Sequence, residues 1–72
     1  MEYIIIRYGK NPEGTTWRKV VGRFDDKEQA RTAGKEEADK IIYKGEWVSM
    51  FSGNFTDDGE PIGQFRFYDR WE

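Results

Sequence analysis

The chain has 72 residues, with no cysteine, no histidine and 14 acidic against 12 basic side chains. That length makes a single domain that buries only about 60% of its unfolded surface. The missing cysteine and histidine exclude disulfides, thiolate metal sites and the usual general base, and a net charge of −2 points to no particular partner.

Tyr3–Tyr8 reads as the first strand, and its three consecutive isoleucines predict a central position with both faces covered. Ile4–Ile6 is the longest apolar run, far too short for a membrane span or a signal-peptide core, and strand material begins at once. These features predict a cytoplasmic protein with no membrane partner. Gly9 to Thr16 (GKNPEGTT) reads as a loop, with Asn11-Pro12 and Glu13-Gly14 as turn dipeptides. Trp17–Phe24 is the second strand of a hairpin. Strict alternation gives it one face with Trp17, Lys19, Val21 and Arg23 and another with Arg18, Val20, Gly22 and Phe24.

The stretch Phe24 to Gly45 predicts the only helix, because helix formers dominate and β-branched residues occur only at Thr32, Ile41 and Ile42. Asp25 and Glu28 have capping-box spacing, as do Asp26 and Gln29 one residue later. Gly45 offers a left-handed residue after the helix, and Lys40 and Lys44 suit its carboxyl end. At about 100° per residue, Ala30, Gly34, Ala38, Ile41 and Ile42 share one arc. Such small residues let a helix approach a sheet closely, so the bulk of the core must come from the sheet. Close packing also explains Gly34, which costs roughly 1 kcal/mol against Ala in mid-helix. Arg31 and Glu37 flank the arc. Glu37 is expected at the rim with its head in water, against the alternative of a buried acid with a raised pKa.

Glu46–Phe55 is the third strand, with Trp47, Ser49, Phe51, Gly53 and Phe55 on one side and Val48, Met50 and Ser52 on the other. Gly53 inside the run marks a bulge. Thr56–Gly63 is a turn, and its Asp57-Asp58-Gly59-Glu60 is ordinary turn chemistry without the length or spacing of a calcium loop. Gln64–Trp71 is the fourth strand, with Phe65, Phe67 and Trp71 opposite Arg66, Tyr68 and Arg70. The order ββαββ predicts an α+β domain: a four-stranded antiparallel sheet of order 2-1-3-4, joined by a right-handed crossover, with one helix packed on one face.

Charge divides between strands and connections. The strands hold six cations against two acids and the remainder six against twelve. On strict alternation the helix-free face carries Tyr3, Arg7, Trp17, Lys19, Arg23, Trp47, Phe51, Arg66, Tyr68 and Arg70. Arginine stems laid over rings within one molecule would make this an ordinary solvated face. The same residues suit an interface with a protein partner or a second copy, since Trp, Tyr and Arg dominate such hot spots. They also suit a single-stranded nucleic acid, with bases stacked on rings and cations along the phosphates, although a pI of about 5.2 counts against it. The expectation is a non-catalytic interaction domain without cofactor or metal. An enzyme would need a deep pocket joining Glu37 or the Asp57–Glu60 carboxylates to an arginine.

Overall fold

The computed structural model describes residues 2–72. Four strands, β1 (Tyr3–Lys10), β2 (Thr16–Phe24), β3 (Trp47–Phe55) and β4 (Pro61–Trp71), flank a single helix, α1 (Lys27–Ala38). All pairings are antiparallel and the sheet order is β2-β1-β3-β4, as the element order predicts. Both hairpins pair further toward their turns than composition suggests. In the first, the Asn11 N–H donates to the Thr15 carbonyl at 2.8 Å and closes the turn. In the second, β4 starts at Pro61, a first-residue position on an edge strand where a missing N–H costs nothing.

The helix starts on the later of the two capping registers: the Asp26 carboxylate accepts from the Gln29 N–H at 3.1 Å. It stops at Ala38, earlier than expected, and residues 39–46 run through turns before β3. Gly45 is therefore a turn residue with φ of 94°, not the residue that closes the helix. Ile41 still reaches the core from the turn, whereas Ile42 is 79% exposed. Twelve residues span about 18 Å.

Two apolar clusters lie on opposite sides of the sheet. Under the helix, Ile5, Val48 and Met50 meet Ala30, with Tyr3, Val21, Phe24, Tyr68 and Trp71 around them. On the other side Ile4, Ile6 and Phe55 are buried, with Tyr8, Val20 and Phe51 against them. The three isoleucines are thus covered on both faces, as their run predicts. The small helix arc has a specific use at Gly34. A Cβ built there would lie 2.7 Å from Cη2 of Trp71, so the glycine lets the indole slide beneath the helix.

Three register shifts interrupt the pairing: one extra residue on β2 opposite Ile5/Ile6, one on β4 opposite Met50/Phe51 and, as Gly53 suggests, two on β4 opposite Gly53/Asn54. An extra residue on one strand moves everything beyond it to the other face. The faces of β2 and β4 therefore differ from the alternating pattern.

Candidate functional site

The helix side of the sheet carries a partly buried ionic cluster. Arg7 donates from Nη1 to Glu37 Oε2 at 2.8 Å, and from Nε and Nη2 to Glu46 Oε1 at 2.9 and 2.6 Å. Glu37 is only 9% exposed, so the expectation of a rim carboxylate gives way to a buried one. Its pKa is not raised. The hydrogen bond from Arg7 outweighs desolvation and, with help from Lys40, holds the carboxyl below its ordinary value. The same bonds from Glu37 and Glu46 hold the Arg7 guanidinium more firmly in its charged form. The cluster ties helix, central strand and the start of β3 together. Sequence spacing gives no sign of it, because its partners are 30 and 39 residues from Arg7.

Most of the predicted helix-free face lies on the helix side instead. Arg7 reaches the helix. Tyr3 and Tyr68 pack edge to face at 5.5 Å, with Lys27 of the helix 5.0 Å from the Tyr68 ring. Ser52 Oγ hydrogen-bonds Tyr68 Oη at 3.5 Å and holds the phenol pKa below its ordinary value. Arg66 lies 5.7 Å from the same ring. Lys19 pairs across from Arg7, and Trp17 lies against Gly9. The reason is β1: a run of three isoleucines cannot say which face is which, and Arg7 settles it by pairing with the helix.

Trp47, Phe51, Arg23 and Arg70 do lie on the opposite side. Tyr8 stacks on Trp47 at 5.1 Å and 12°, and the Arg70 guanidinium lies 4.7 Å from the Trp47 ring. Burial pushes the Tyr8 hydroxyl pKa up, against a smaller pull downward from Arg18. Arg23 is not available to a ligand, because it donates to the Thr56 carbonyl and to Glu2. Arg18 donates to the Asp58 carbonyl at 2.6 Å and pairs with Glu60 at 3.0 Å. Together the two arginines fold the β3–β4 turn across β1 and β2. A Cβ on Gly59 would lie 3.1 Å from Ile6 and 3.2 Å from Val20. The turn thus roofs the second cluster, with Gly59 buried against it.

What the roof leaves uncovered is a phenylalanine cluster that strand alternation alone did not single out. Phe51 packs edge to face on Phe65 and Phe67 at 5.8 and 5.6 Å, and Phe65 also meets Phe55 at 5.8 Å. Phe65 and Phe67 remain 51% and 53% exposed. Both sit on β4, whose outer edge has no strand beside it among the described residues. The Phe-x-Phe spacing of Phe65 and Phe67 puts both on one side of β4, and the extra residue opposite Met50/Phe51 turns that side toward Phe51, which alternation alone does not show.

No protein-family profile, curated protein or solved structure matches the chain. No helix among the described residues is long and apolar enough to cross a membrane.

Proposed function

We propose that the protein is a small cytoplasmic, non-catalytic interaction domain that docks an apolar protein surface, on a partner or on a second copy, against Phe51, Phe65 and Phe67. The observation that carries the reading is two half-exposed phenylalanines on an edge strand, each packed edge to face on Phe51 of the neighbouring strand. A 72-residue chain has little apolar surface to leave in water, and contiguous exposed apolar rings are characteristic of interaction sites. The arrangement favours protein over single-stranded nucleic acid. Stacking sites need free cations beside the rings, and here Arg7, Lys19 and Arg66 lie on the other side of the sheet, Arg23 holds the turn, and Arg70 is engaged by Trp47 and Glu72.

The test is sedimentation and partner capture with wild type and the Phe65→Ser/Phe67→Ser double variant. Both residues are half exposed, so the variant should keep its circular dichroism spectrum. Association with a second copy or a captured protein should be lost in the variant. A strict monomer up to about 1 mM, with no captured protein lost on substitution, would overturn the reading.

A further inference from the structure

A second site lies apart from the phenylalanines, where the carboxyl ends of β1 and β4 meet the start of β3 and the turn after the helix. It is a cleft of about 370 Å³ whose walls include Ile41, Tyr43 and Trp47 and whose rim carries Lys10, Lys44 and Arg70. That volume falls within the range of small-molecule sites.

Its two acids are already paired. Glu46 is held by Arg7, and Glu72 accepts from Arg70 Nε at 2.8 Å. Lys10 and Lys44 have no carboxylate partner among the described residues. The cleft therefore presents two lysines without an ion-pair partner and a small positive excess. Its rings are unequal. Trp47 is engaged by Tyr8 and Arg70 and offers only a wall. Tyr43, 67% exposed, has no ring or cation against it among the described residues. Gly45, with φ of 94° and no atom within 4 Å of where a Cβ would stand, keeps the rim open between Lys44 and Glu46. The larger groove beside the helix carries Glu28 and Glu36 and no cation, so it lacks this character.

We propose that the cleft binds a small organic anion bearing a flat ring, of the class of a nucleoside monophosphate, with the ring against Tyr43 and the anionic group between Lys10 and Lys44. Stacking on one exposed ring and attraction to two surface lysines are each modest, so the affinity is weak and falls with salt.

The test is a titration of the ¹⁵N-labelled full chain with adenosine 5′-monophosphate and, separately, with inorganic phosphate. Saturable shifts should appear at Lys10, Tyr43, Lys44, Gly45 and Trp47, with a dissociation constant of about 1 mM or below. Phosphate alone should bind at least about tenfold more weakly, and the Lys10→Gln/Lys44→Gln variant should lose at least about tenfold toward the nucleotide. These lysines are exposed and unpaired, so an unchanged spectrum of the unliganded variant is the control for folding. Tyr43→Ala should bring the nucleotide down to the level of phosphate. Absence of saturable shifts, equal binding of phosphate and nucleotide, or undiminished binding by the lysine variant would each overturn the proposal. So would tighter binding of a six-nucleotide single strand with shifts spreading to Phe51, Phe65 and Phe67. Because those phenylalanines lie outside the cleft, their Ser variants should leave nucleotide binding unchanged, whether or not they dock a protein.

Discussion

Gly34 sets how far the helix can descend onto the sheet. Alanine there would gain about 1 kcal/mol of helix propensity. Against that, its methyl would lie inside contact distance of the Trp71 indole, a rigid ring that can yield only by moving β4 or the helix. Overpacking of this kind costs about 1–3 kcal/mol, so packing outweighs propensity. Gly34→Ala should lower stability by up to about 2 kcal/mol, a fall in Tm of up to several degrees for a chain this short. Thermal denaturation measures it directly, and in a Trp71→Phe background the penalty should shrink because the clash is removed. Higher stability of the single variant would refute close approach at this point. Gly34 is also where sequence reading succeeded at this scale: a glycine in mid-helix on the apolar arc has few explanations besides a neighbour pressed against it. Arg7 is the opposite case. Nothing near it in the chain announces Glu37 or Glu46, and only the fold brings them together.

At the scale of elements, the number, type and order of strands and helix were legible, because alternation and helix propensity are local. The faces were not. The bulges at Val21 and Tyr68 each insert one residue that alternation cannot count, whereas the shift that Gly53 announces inserts two and leaves the faces as they were. The β3–β4 turn was legible as a turn, but its role as a roof was not, since that depends on Arg18 and Arg23 reaching carbonyls of a segment 33 to 40 residues away. This gives a prediction. In an Arg18→Ala/Arg23→Ala variant the turn should lift from β1 and β2, exposing Ile6 and Val20. Amide exchange at Gly59 and Glu60 should accelerate by at least about tenfold, while amides between β1 and β3 slow to the global rate as before. Equal acceleration at β1 and the turn would mean that the arginines hold up the whole sheet and not its roof alone.

At the scale of the whole molecule, the Arg7–Glu37–Glu46 cluster joins helix, central strand and the entry to β3 by charge. Glu37 is held below its ordinary value of 4.5 in the folded chain. A carboxyl whose folded pKa is depressed contributes stability that is fully present above its unfolded pKa and is lost as pH falls through the folded value. The loss should therefore begin near pH 4.5 and continue below it. At neutral pH, Glu37→Gln keeps a hydrogen-bond acceptor for Arg7 but removes the charge, which should cost about 1–3 kcal/mol. Denaturant unfolding of both proteins from pH 7 to about pH 3 checks the sign. Carboxylates away from Arg7 are common to the two chains, so the difference between the curves reports on Glu37 and the Arg7 cluster it belongs to. That difference should be largest at neutral pH and narrow in acid, as protonation does to the wild type what the substitution has already done. A difference that stays constant with pH would show that Glu37 supports the fold by packing and not by its charge.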